Sequence, residues 1–146
     1  KYIHSSGLSD KVILLGHVSA MDTLYSISDI AVLCSNAEGQ PYFILEAMQA
    51  LCPVIASDVP GNQELLDSNR GLLIKPHPQV LARAVDYLLE DRPKRDQLAQ
   101  NAYDYVSKQH RLEDQIHILS GIYLDKPFTK MEDSVIADHH AEHIIA

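Results

Sequence analysis

Short, wholly apolar runs constrain this chain more than any other feature. Residues 12–15 (Val-Ile-Leu-Leu), 30–34 (Ile-Ala-Val-Leu-Cys), 53–57 (Pro-Val-Ile-Ala-Ser) and 71–74 (Gly-Leu-Leu-Ile) have strand length, and none alternates polar with apolar. Strands with one wet face alternate, whereas strands covered on both faces read as continuous apolar runs. Pro53 is tolerated as the first residue of such a strand. Between the runs the periodicity changes to that of a helix. Met21, Leu24, Tyr25 and Ile27 share a stripe within residues 20–28, and Ile44, Leu45, Ala47, Met48 and Leu51 share one within residues 42–51. A turn at Pro60-Gly61-Asn62 leads into a short helix over 63–67. Residues 79–90 carry Val80, Leu81, Ala84, Val85, Leu88 and Leu89 on one side, Pro93 restarts a helix reaching 107 or 108, and a last helix covers 112–124. Strand and helix in alternation predict an α/β fold, a parallel sheet with helices on both faces. At 146 residues, one domain is the natural reading. It is expected to occupy residues 1–124, incomplete at its N-terminus, followed by a polar C-terminal tail over 125–146.

Composition excludes several classes of function. With 46% hydrophobic and 22% charged residues the chain is ordinary for a folded domain, so wholesale disorder is excluded. A net charge of -8 repels phosphate backbones, and the nearest basic group, Arg92, Lys94 and Arg95, lies among Glu90, Asp91 and Asp96. Nucleic acid is therefore not an expected partner. Cys34 and Cys52 have no metal-type spacing and are expected as buried, reduced thiols, in keeping with a cytoplasmic setting. No apolar stretch reaches membrane-spanning length and no signal peptide is visible, although the complete protein could work at the membrane periphery. The opening Lys1-Tyr2-Ile3-His4 lacks an initiator Met and starts inside a pattern, which predicts a domain cut from a longer chain.

In open parallel sheets, ligands bind beyond the carboxyl ends of the strands. The loop over 35–41 leaves the second run at that end and feeds a helix. Gly39 lets backbone approach a ligand closely, and Pro41 is expected at the first helical position, where its missing N–H costs nothing. The free N–H groups of Tyr42 and Phe43, with the helix dipole behind them, make an anion site suited to phosphate. Glu38 and Glu46 bracket it. A carboxylate accepting from two neighbouring hydroxyls is a usual way to hold a ribose, and Glu46 stands just past the first turn, where it could do so. The same two residues also suit a solvated helix start, and their spacing does not choose between the readings.

Taken as a whole, Glu38-Gly39-Gln40-Pro41-Tyr42-Phe43-Ile44-Leu45-Glu46-Ala47-Met48 resembles the signature of the large retaining glycosyltransferase family known as group 1, or family four. The register persists around it. Residues 12–18, Ser28-Asp29-Ile30-Ala31-Val32-Leu33, residues 53–58, Gly61 with Glu64, residues 71–74 and Ile122-Tyr123 each resemble a family element, so the likeness spans about residues 8–124. These enzymes have two Rossmann-like domains facing across a cleft, the GT-B fold, and the second binds the nucleotide-sugar donor. The resemblance implies that Glu46 holds the ribose hydroxyls. It implies that Glu38 takes the catalytic role and, with Gly39, Gln40, Pro41, Tyr42 and Phe43, contacts donor sugar and diphosphate. Val18 would meet the base through its main chain. It implies no cofactor and no required metal, because helix dipoles and basic side chains offset the diphosphate charge. The acceptor, a glycan or lipid, would bind through a missing N-terminal domain.

The chain also departs from that pattern. Leu51 stands where the family usually has Gly before the strand, and a Leu at positive φ carries a steric cost. The family's Arg and Lys that neutralise the leaving diphosphate lie on an earlier strand-loop unit, and this chain begins after it. The isolated chain is therefore expected to be inactive in sugar transfer and to self-associate through an exposed sheet edge. A non-catalytic nucleotide-binding module and a nucleotide-sugar epimerase-like protein share the architecture and remain alternatives. Elsewhere, His139, His140 and His143 read as a solvated tail rather than a metal site. Asp22, His17 and Ser19 show no triad, and Tyr87, Tyr103 and Tyr105 read as packing.

Overall fold

A computed structural model of the chain describes residues 2–110 and 112–123. The polar tail expected over 125–146, with His139, His140 and His143, lies outside the described residues. In chain order the elements are α1 (Tyr2–Ser5), α2 (Met21–Ile27), β1 (Ala31–Leu33), α3 (Tyr42–Gln49), β2 (Val54–Ser57), α4 (Pro60–Leu66), β3 (Leu72–Ile74), α5 (Pro78–Glu90), α6 (Arg92–Gln109) and α7 (Leu112–Tyr123).

β1, β2 and β3 form a parallel sheet in that spatial order. Val32 pairs with Ile55, and Ile55 with Leu72. Every residue of β2 is fully buried, as a central strand covered on both faces requires. Its side chains divide between two apolar clusters. Val54 and Ala56 join Ile44, Ala47 and Met48 of α3, Leu65 and Leu66 of α4, and Ala102 and Val106 of α6. Ile55 points the other way, to Ile74, Leu88 of α5 and Leu98. Crossovers of one hand lay α3 and α4 on the same face, while α5 covers the opposite one and α6 runs from one cluster to the other. The expectation of a parallel sheet with helices on both faces holds. No described helix is long and apolar enough to cross a membrane.

Several expectations need correction. Residues 12–15 form no strand. Ile13 is 78% exposed and Leu14 82%, and the Val12 N–H is used in a turn, donating to the Leu8 carbonyl at 2.9 Å. An apolar run states a need for burial; it becomes a strand only where another strand offers a ladder, and no described strand takes residues 12–15 as a neighbour. Pro60-Gly61-Asn62 is not a turn before a helix but the first turn of α4, with Pro60 near its start, where a missing N–H is harmless. Pro41 caps α3 from outside instead of opening it; its carbonyl accepts from the Ile44 N–H at 3.1 Å. Cys34 is exposed, since it already leaves the sheet after β1, whereas Cys52 is buried; both are free thiols.

The Leu51 departure has a visible cost. α3 ends in paired bonds from the Leu51 N–H to the Met48 carbonyl (3.2 Å) and from the Cys52 N–H to the Ala47 carbonyl (2.9 Å). That is the Schellman arrangement, whose turning residue is left-handed and usually Gly. Leu51 fills that position at φ 56°, which for a residue with a Cβ costs about 1–2 kcal/mol.

Candidate functional site

The carboxyl ends of β1 and β2 are tied together by polar contacts that leave the loop after β1 little freedom. Ser57, the last residue of β2, is fully buried. Its hydroxyl accepts from the Ser35 N–H at 2.9 Å and donates to the Ser35 carbonyl at 2.7 Å. Asn62, also fully buried, donates to the Ser57 carbonyl at 2.8 Å, and its own Oδ1 has no protein partner. Further along, the loop rests on α4. A Cβ added to Gly61 would stand 2.5 Å from the Glu38 carbonyl oxygen and would collide with that of Gly39. A residue without a side chain is therefore needed at 61 for the tip of the loop to lie where it does.

Beyond the loop, α3 starts with Tyr42 and Phe43, whose N–H groups have no carbonyl one turn earlier within the helix. They face the end of the sheet where ligands of such folds bind. Ile44, Ala47 and Met48 anchor α3 in the core, which turns Glu46 outward to α2. There the Tyr25 hydroxyl donates to Glu46 Oε2 at 3.1 Å. Tyr25 is buried and its ring meets that of Phe43 edge to face, with centroids 5.5 Å apart and planes at 78°. Burial, then the hydrogen bond to Glu46 and the Glu46 charge, push the Tyr25 phenol up to about 12, so it is a donor throughout the physiological range.

A groove of about 420 Å³ runs between the two helices, a size ordinary for small-molecule sites. Ser19 with Met21, Asp22 and Tyr25 forms one wall, and Glu46, Gln49 and Ala50 the other. Of the residues expected to bind a donor, Glu46 lines this groove. Val18 is half-buried and adjoins it through Ser19. Glu38 is half-buried at the loop tip over α4, and Gly39, Gln40 and Tyr42 are exposed beside the start of α3. Pro41 is buried as the cap, and Phe43 is half-buried under the Tyr25 ring. Thus Glu46 stands at the groove and Glu38 against α4, on either side of the helix start. Among the described residues no group of three metal-ligating side chains comes together.

Sequence reasoning placed Tyr25 on a helical stripe but missed its contact with Glu46. The available signal was its hydroxyl, because a buried phenol must find a partner. Asp22, Gln49 and Ala50 carried no comparable signal.

Comparisons with known proteins agree with one another. The family described as "Glycosyl transferases group 1" matches residues 1–105. The chain is 32% identical over 127 residues to an alpha-D-kanosaminyltransferase of Streptomyces kanamyceticus, covering 84% of this chain and 33% of that protein. It is 35% identical over 83 residues to a putative teichuronic acid biosynthesis glycosyltransferase, TuaC, of Bacillus subtilis, covering 56% of this chain and 21% of that protein. The chain thus spans about a third or less of the length of these curated relatives. Among solved structures, Anabaena HepE in complex with UDP superposes with a TM-score of 0.79 at 26% identity, covering 84% of this chain and 35% of HepE. Sucrose-phosphate synthase from Thermosynechococcus elongatus gives 0.79 at 26%, over 85% of this chain and 32% of that one. The C-terminal domain of a group 1 family protein, LpcC, from Francisella tularensis gives 0.67 at 30%, over 76% and 60%.

Proposed function

This chain belongs to the group 1 glycosyl transferases, and from that premise we propose that it is the donor-binding domain of a retaining enzyme that moves a sugar from a nucleoside diphosphate to an acceptor hydroxyl. The observation that carries the reading is the juxtaposition of Glu46, at the wall of a groove, with the open N-terminus of α3. A nucleoside in the groove offers its ribose hydroxyls to Glu46, and its diphosphate then falls on the N–H groups of Tyr42 and Phe43. Helix N-termini favour phosphate through unpaired donors and the helix dipole. HepE, a structural neighbour, has been solved with UDP and with UDP-glucose.

In this proposal Glu38 and the backbone of Gly39 to Phe43 face the donor sugar and diphosphate, and Val18 meets the base. The site needs no metal ion provided basic groups share the diphosphate charge. Residues 35–51 contain no Lys or Arg, so those groups come from outside this stretch. The acceptor, a glycan or lipid, is held by a facing domain, because retaining transfer requires its hydroxyl against the anomeric carbon and positioning supplies a large part of such a barrier. The chemistry is cytoplasmic. The chain alone does not transfer sugar, and it associates with itself where the exposed residues 13–15 and the outer edge of β1 offer apolar surface and unpaired backbone.

Calorimetric titration with UDP, GDP and ADP tests the reading. One of them is expected to bind, and Glu46→Ala to weaken that binding by about 1.5–3 kcal/mol, the scale of hydrogen bonds to a charged group. Equal affinities for wild type and variant would return Glu46 to the status of a surface residue. In the complete enzyme, Glu38→Ala is expected to lower turnover more than nucleotide affinity.

A further inference from the structure

Glu46 is exposed, and a free glutamate on a helix surface samples several rotamers, each lost on binding at an entropic cost. In this chain it is not free. Tyr25 Oη reaches Glu46 Oε2 at 3.1 Å, from a helix that arrives by a different part of the sequence. Tyr25 in turn has little room to move. It is buried within the cluster that contains Ile44, Ala47 and Met48, and its ring sits edge-on to Phe43, the second residue of α3. The carboxylate keeps Oε1 and the remaining lone pairs for a ligand, because a carboxylate has about four acceptor positions and the phenol takes one. Among the described residues no cation pairs with Glu46, whose charge therefore remains available to a donor of hydrogen bonds.

Resting on the donor-site reading above, we infer that Tyr25 is a positioning residue for nucleotide recognition: its buried hydroxyl fixes the Glu46 carboxylate in the orientation that receives the ribose hydroxyls. It lines the groove, takes no part in the bonds that break or form, and acts on the ribose through Glu46. The Phe43 contact extends the same device to the phosphate end, since the ring that holds Glu46 also braces the first turn of α3. Ribose and diphosphate recognition are thereby set by one side chain from α2.

The test uses Tyr25→Phe, which removes the hydroxyl and keeps the ring on Phe43. Binding to wild type, Tyr25→Phe, Glu46→Ala and the double variant is measured with whichever of UDP, GDP and ADP binds wild type tightest, and with its 2′,3′-dideoxy analogue. Tyr25→Phe is expected to weaken the ribonucleotide about 5- to 10-fold, within the net range of one ordinary hydrogen bond, because it loosens Glu46 without removing it. It is expected to leave the dideoxy analogue within about twofold and to add nothing in the Glu46→Ala background, as for two residues acting through one contact. Equal weakening of both nucleotides, or additivity with Glu46→Ala, would make Tyr25 a packing residue and overturn the inference, as would an unchanged or tighter affinity. A ligand-free arm follows the carbon resonances of labelled tyrosines against pH. Glu46→Gln is expected to lower the Tyr25 titration midpoint, and an unmoved midpoint would show that the contact is not made. Wild type that binds no nucleotide would bring down the donor reading and this inference together, whereas tight binding that ignores Tyr25→Phe would bring down this inference alone.

Discussion

Residues 12–15 and the strand β2 are written in the same alphabet and end differently. Val-Ile-Leu-Leu lies open to solvent, whereas Val-Ile-Ala-Ser, with a polar residue at its end, is completely buried. The difference is partners. β2 has a parallel neighbour on each side and a helical layer on each face, and its Ser57 is satisfied by Ser35. The stretch at 12–15 has no described strand beside it. Hydrophobicity therefore measures what a segment has to gain from burial, and topology decides whether it receives it. The candidate site lies between the two regions: α3 and its loop rest on the β2 side, while α2 follows closely on the open segment.

The sharpest way to break this contrast is truncation on both sides of it. Ile55→Ala is expected to destabilise the fold by about 2–5 kcal/mol, the range for large-to-small changes in a packed core. Leu14→Ala should stay within about 0.5 kcal/mol, as exposed positions do. Urea unfolding of the two variants decides it, and comparable losses would mean that residues 12–15 are buried in solution.

Gly61→Ala sharpens the link between the buried half and the site. The added Cβ meets the backbone carbonyls of Glu38 and Gly39, which cannot swing aside as a side chain can. The expected cost is about 1–3 kcal/mol, accompanied by weaker nucleotide binding because the loop tip is displaced. A variant with wild-type melting temperature and affinity would show that the loop does not rest on α4.

Alkaline pH probes the buried side of the contrast through two groups of one cluster. Burial raises the Cys52 thiol from 9.0 to about 11, and burial with the Glu46 contact raises the Tyr25 phenol from 10.0 to about 12. Each group ionises more easily in the unfolded chain, so its contribution is complete below the unfolded value and is lost as pH climbs through the folded one. Stability should fall from about pH 9 for Cys52 and from about pH 10 for Tyr25. Tyr25→Phe should flatten the upper part of that decline, and a decline of unchanged slope above pH 10 would contradict the assignment.

The smallest expected effect is a gain. Leu51→Gly relieves the left-handed strain at the end of α3 but adds unfolded-state entropy. With Leu51 about half exposed, little burial is lost. A net stabilisation of up to about 1 kcal/mol should appear as a modest rise in melting temperature, and destabilisation would mean that the Leu side chain contributes more through packing than its exposure suggests.

The three paired strands were legible because each apolar run coincides with a partnered position, and the helices because their stripes face the two clusters. The status of residues 12–15 was not legible, since no local pattern records whether a neighbour strand exists. Pro60-Gly61-Asn62 was misread for a related reason: turn-forming residues are equally at home in the first turn of a helix. At the site, the loop and Glu46 could be found from spacing and resemblance. The Tyr25 contact, the Ser35–Ser57–Asn62 network and the close approach at Gly61 could not, because each joins parts of the chain that only folding brings together.

The groove beside Glu46 and the start of α3 are expected to form one nucleotide site. A crystal structure of the chain with a nucleoside diphosphate decides this. The ribose hydroxyls are expected at hydrogen-bond distance from Glu46, about 2.6–3.2 Å, with the diphosphate on the Tyr42 and Phe43 N–H groups. A nucleotide bound elsewhere, or one whose ribose turns away from Glu46, would contradict it.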